Sequence, residues 1–93
     1  MEPNALTMEM ATAIMNAYTN KTFGDNGTFS IIGNGIAIEL WHCVDDTITA
    51  EIRTDALISV HVFDVDSITI ETHPDIRLNI HGRGDISIPI TLD

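Results

Sequence analysis

From Thr28 onward, apolar residues occupy alternate positions almost without interruption. Runs such as Ile36-Ala37-Ile38-Glu39-Leu40 and Ile86-Ser87-Ile88-Pro89-Ile90 show the period of a strand with one buried face. The alternation predicts strands at 28–32, 36–44, 47–53, 57–63, 67–73, 76–81 and 86–92. Short linkers carrying Gly, Asp, Asn or Pro separate them, as hairpins require. Asn34-Gly35 is the clearest, a two-residue turn that needs positive φ at both positions. No linker is long enough for the crossover of a parallel sheet, so an antiparallel meander is expected, each strand beside its sequence neighbour.

Ahead of that run the period changes. Leu6, Met10, Ala13, Ile14, Ala17 and Tyr18 recur at helical spacing and predict a helix over 5–19, with Asn4 or Thr7 as its N-cap. Thr, Asn and Gly crowd the stretch from Thr19 to Gly27 and end it. The expected fold class is α+β: one domain over 1–93, with an N-terminal helix in 1–20 packed on a curled antiparallel β-meander of about six to seven strands in 28–92.

The alternation also assigns faces. Phe29, Ile31, Ile36, Ile38, Leu40, Val44, Ile48, Ala50, Ile52, Ile58, Val60, Val62, Ile68, Ile70, Ile76, Leu78, Ile80, Ile86, Ile88 and Ile90 fall on a core face. Glu39, Trp41, Cys43, Thr49, Glu51, Arg53, His61, Glu71, Arg77, Asn79 and His81 fall on a wet one. Closing 45–47 as a tight loop sets Glu39 opposite Arg53 and Trp41 opposite Glu51, and closing 73–75 sets Glu71 opposite Arg77. One helix ~10 Å wide cannot cover a flat sheet whose strands lie ~4.8 Å apart. Either the sheet curls around the helix or a second copy, in a homodimer, covers the rest.

Composition sharpens this picture. Hydrophobic residues make up 44% of the 93, too many for a disordered acidic tail. Fourteen Asp and Glu stand against four Lys and Arg, a formal charge of −10. Such a surface repels nucleic acid and anionic membrane, and it attracts a basic partner in a salt-dependent way. One cysteine excludes an internal disulfide framework. The first residues lack the basic region of a signal peptide, and no apolar run approaches the ~20 residues of a bilayer span. The expected location is intracellular, in the cytoplasm.

The stretch Leu40–Asp46 holds the only Trp and the only Cys beside a His and two Asp. Strand parity sends His42 inward and Cys43 outward, so they cannot act as base and nucleophile. His61, His73 and His81 lack the spacing of a metal site, and no Asp-x-Asp-x-Asp-Gly loop is present for calcium. No catalytic motif appears, so the chain is expected to be no enzyme, with no metal and no cofactor. In a meander alternate turns share one end of the sheet, so Asp45 and Asp46 should meet Asp64 and Asp66 in an acidic rim about two strand spacings across. With Glu39 and Glu51, and with Trp41 as aromatic anchor, these residues form the expected partner-binding set.

In size, charge, α+β build and acids strung along turns, the chain resembles the small acidic phage-encoded inhibitors, the anti-CRISPR and other DNA-mimic proteins. That resemblance implies docking on a basic, nucleic-acid-binding protein such as a Cas surveillance complex, without chemistry, inside a bacterial host. The alternative is a structural or assembly protein, for example a phage particle component, that oligomerises through its isoleucine-rich sheet face.

Overall fold

Leu6 and Thr7 form a two-residue strand, β1, before the chain turns into its helix. The computed structural model describes residues 6–54 and 59–92. Helix α1 spans Met8–Asn20. Thr7 Oγ1 accepts a hydrogen bond from the Met10 N–H at 3.1 Å and satisfies one donor that a helix start leaves open. Leu6 is therefore strand, where the periodicity predicts helix. Asn4, the other expected cap, lies outside the described residues, as does Ile58. Lys21 closes the helix in the left-handed region at φ 54°, its N–H donating to the Tyr18 carbonyl at 3.3 Å.

The meander follows as β2 (Thr28–Gly33), β3 (Ile36–His42), β4 (Ile48–Thr54), β5 (Ser59–Glu71), β6 (Arg77–Arg83) and β7 (Ile86–Thr91). The strand order is β1-β7-β6-β5-β4-β3-β2, antiparallel throughout except for β1, which runs parallel to β7. Asn34 and Gly35 turn with φ 54° and 78°, as their sequence demands. The fold is α+β, one helix on a mostly antiparallel sheet.

One expected turn does not reverse the chain. The predicted strands 57–63 and 67–73 belong to a single strand of 13 residues, β5. Residues 64–66 form a bulge: the register with β6 slips between Phe63 and Ser67, and Asp64 sits at φ 51°. Val65 swings into the core there and is buried. Gly82 faces the bulge, and a Cβ on it would lie 2.7 Å from the Phe63 carbonyl oxygen, so glycine alone admits the approach. Asp-Val-Asp reads as a turn because aspartate tolerates left-handed backbone, and a bulge recruits the same tolerance.

The bulge divides the work of β5. Its first residues pair with β4 and its later ones with β6. Helix α1 packs against β5 and also against β2 and β7, which stand toward opposite ends of the strand order. The sheet therefore curls around the helix, and the core closes within one chain. Ile14, Ile38, Leu40, Leu78 and Ile80 are fully buried, each contributing about 1.5–3 kcal/mol relative to exposure. Phe29, Ile31, Ile70 and Ile86 on the same face remain partly buried.

Several positions depart from strict alternation. Val44, expected in the core, sits fully exposed in the β3–β4 loop, because the strand ends before it. Val60 is more than a third exposed near the start of β5. Thr49, expected on the wet face, is only 6% exposed. Among the described residues no helix is long and apolar enough to cross a membrane.

Candidate functional site

On the outer face of the sheet, Ser30, Glu39, Glu51 and His61 stand in one row across β2, β3, β4 and β5. Glu39 thus faces Glu51, and Trp41 faces Thr49, two residues away from the expected register. The β3–β4 loop is the reason. The Cys43 N–H donates to the Thr47 carbonyl at 2.8 Å, which leaves three residues in the loop, with Asp46 at φ 68°. A loop at 45–47 is equally long, but it puts Thr47, a β-branched residue, at the left-handed position that Asp46 takes here. Asp45 locks the loop by accepting from the Thr47 hydroxyl at 2.6 Å and its N–H at 3.2 Å. Those two bonds hold the Asp45 carboxyl below the usual carboxylate range.

Carboxylates directly opposite one another destabilise a ladder unless something sits between them. Here Arg53 reaches both, at 3.6 Å to Glu39 and 3.9 Å to Glu51. Ser30 Oγ donates to Glu39 at 3.0 Å, Ser59 Oγ donates to Glu51 at 3.1 Å, and His61 Nε2 lies 3.3 Å from Glu51. The pairing of Glu71 with Arg77 is as expected. Their side chains nevertheless turn elsewhere: Arg77 donates to Ser87 Oγ at 2.7 Å, and Glu71 accepts from Asn79 at 3.3 Å.

Below that row lies an open recess of about 460 Å³, lined by Cys43, Asp45, Thr47, Thr49, Phe63, Asp64 and Arg83. Trp41, 37% exposed, lies beside Thr49 on the same face. Thr49 Oγ1 stands 3.6 Å from the Cys43 sulfur. His42 serves neither: its Nε2 lies 2.6 Å from Asp46 Oδ1, and its ring stacks on Phe23 with centroids 5.4 Å apart. His42 is exposed, not buried as its parity implies, because β3 ends at that residue. Cys43 and His42 therefore stand apart. Among the described residues, no three His, Cys, Asp or Glu side chains gather closely enough to hold a metal ion.

The acidic rim is split rather than continuous. Asp45 and Asp64 meet across the recess, because Asp64 lies on β5, one strand beyond β4 and not two. Asp64 also pairs with Arg83 at 3.1 Å. Asp46 turns to His42. Asp66 lies near Tyr18 of the helix, whose hydroxyl donates to the Val65 carbonyl at 3.1 Å. Burial, and secondarily the Asp66 charge, push the Tyr18 hydroxyl above its usual pKa. Glu39, Glu51 and Trp41 share the outer face with Asp45 and Asp64, whereas Asp46 and Asp66 do not join them.

Residue types alone do not reveal the stacked His61–Phe63 pair, 5.8 Å between centroids, or the Arg83–Asp64 bridge. The bridge depends on the β5 bulge, which carries Asp64. The odd-numbered positions 61 and 63 were the available signal, since they share one strand face. No protein-family model matches this chain, and no curated protein and no solved structure matches it either.

Proposed function

We propose that this chain is a non-enzymatic acidic binding protein that docks on a basic, nucleic-acid-binding surface of another protein and blocks it. The observation that carries this reading is the commitment of the basic side chains. Arg53 is held by Glu39 and Glu51, Arg83 by Asp64, Arg77 by Ser87, and Lys21 lies 4.5 Å above the Tyr18 ring. Among the described residues, no Lys or Arg lies within ion-pair distance of Glu9, Asp25, Asp45, Asp66, Glu71 or Asp75. Their field is not cancelled locally, so it reaches outward and draws a basic partner.

The partner class that fits is a nucleic-acid-binding effector, with a Cas surveillance complex as the specific instance. Carboxylates on the outer face and around the recess stand in for phosphates, and Trp41 with Phe63 supplies the apolar contact. Nucleic-acid binding by a purified Cas effector complex, titrated with this protein, is the test. Displacement at low salt that fades as salt rises supports the reading. Unchanged nucleic-acid binding at low salt, with the protein in excess, refutes it. Asp45→Asn with Asp64→Asn should weaken displacement more than Asp46→Asn with Asp66→Asn, because only the first pair shares the recess.

A further inference from the structure

Strand β2 is the last in the sheet, and among the described residues no strand pairs along its outer side. The phase of its ladder is given by one bond: the His42 N–H donates to the Gly27 carbonyl at 2.8 Å. Bonded and non-bonded pairs alternate in an antiparallel ladder, so Phe29–Leu40, Ile31–Ile38 and Gly33–Ile36 are the bonded pairs. Thr28, Ser30 and Ile32 turn their backbone groups outward. The Thr28 carbonyl is already taken, accepting from the Gly24 N–H at 3.0 Å. Among the described residues, none bonds the N–H or C=O of Ser30 and Ile32.

Edge strands are ordinarily guarded by a charge, a proline, a bulge or a covering segment. Thr28-Phe29-Ser30-Ile31-Ile32-Gly33 contains no charge and no proline, its register with β3 is unbroken, and Ile32 is 76% exposed. We infer that a second copy of this chain adds antiparallel along β2, with Ile31 opposite Ile31 on a twofold axis, so that two sheets become one. In that register Ser30 of each copy faces Ile32 of the other, and the four open groups of each chain are all satisfied.

The side chains agree with the backbone. Residues 30 and 32 lie on the outer face and residues 29, 31 and 33 on the inner one, so each face stays continuous across the joint. Phe29 falls opposite Gly33, where there is room. The partner's chain turns away at Asn34-Gly35, opposite the point where Gly24 occupies the Thr28 carbonyl. A slip of one residue loses both the bond phase and the face match. An occupant of this edge must be uncharged and apolar where it meets Ile31 and Ile32, with open groups at alternate positions, and β2 itself meets each condition. A lysine- or arginine-rich strand gains nothing from those two isoleucines. Two copies at −10 each repel, so salt strengthens this contact, the reverse of its effect on docking to a basic surface.

Sedimentation equilibrium across protein concentration, at low and high salt, is the test. A monomer–dimer equilibrium that tightens with salt is expected. Ile32→Lys should weaken it with an unchanged far-ultraviolet spectrum, since the side chain is solvent-facing. Ser30→Pro removes the outward N–H from each copy and should weaken it about tenfold to a hundredfold. In a Cys43→Ser background, Ile31→Cys should form an intermolecular disulfide on oxidation, because a non-hydrogen-bonded pair brings Cα atoms to about 4.5 Å. Phe29→Cys should not. A monomer at every soluble concentration and salt overturns the inference, as does a dimer indifferent to Ile32→Lys.

Discussion

The two edges of this sheet are built differently. At the β7 edge the Ile90 N–H donates inward to the Ile76 carbonyl at 2.9 Å, so the neighbouring Pro89 presents its nitrogen outward, where no hydrogen exists to donate. β1 covers the same strand, pairing Leu6 with Ile90 and Thr7 with Thr91. One edge thus carries two guards. At the other edge, among the described residues, β2 carries none, and its open groups lie beside an exposed isoleucine. A chain of charge −10 can keep such an edge in solution through repulsion between molecules, which leaves pairing under the control of salt.

Removing the cover at β7 is the strongest way to break this contrast. Leu6 is fully buried against the core. Leu6→Ala should cost about 2–5 kcal/mol in urea unfolding and raise self-association by freeing β7. A stability unchanged by that substitution means β1 guards nothing.

Behind each edge an arginine ties strands together, and the two differ in what they leave when lost. Arg53→Ala leaves Glu39 facing Glu51 with no cation between them, whereas Arg77→Ala removes only two hydrogen bonds to Ser87. The first should cost about 1 kcal/mol, shrinking with added salt, and the second about half of that. Urea midpoints at two salt concentrations decide it, and equal losses would show that the carboxylate pair is not strained.

Acid should act at both ends. Asp85, in the β6–β7 turn, accepts from the Gly82 N–H at 3.1 Å and lies 3.4 Å from His81, and these hold its carboxyl below the usual range, as Thr47 does for Asp45. A carboxyl whose folded pKa is lowered contributes stability that is fully present above its unfolded value and lost as pH falls through the folded one. Asp85→Asn and Asp45→Asn should each flatten part of the decline in urea midpoint on acidification. A decline of unchanged slope in both variants would place the acid sensitivity elsewhere. The smallest effect belongs to Pro89→Thr, which restores an outward donor. Its stability should stay within about 0.5 kcal/mol, and its self-association should rise only when combined with Leu6→Ala.

Much of this was legible in the chain itself. The change of period near residue 28 separates helix from meander, the alternation assigns Ile38, Leu40, Leu78 and Ile80 to the core, and Asn34-Gly35 names its own turn. These follow from local chemistry: branched side chains favour pleated backbone, and glycine accepts positive φ at no steric cost. Parity also separates His42 from Cys43 without any coordinates, since neighbouring strand residues point apart. What stayed hidden depends on residues distant in sequence. Glu39 meets Glu51 only because Asp45 and Thr47 settle a three-residue loop. Asp64 reaches the recess, while Asp66 lies toward Tyr18, only because Gly82 lets the β5 bulge pass. The guarded and open edges are likewise a matter of which strand ends the order. Periodicity determined the elements and their faces, because those are set residue by residue. Register, curl and edges were decided by the tertiary structure, because each requires two segments to meet.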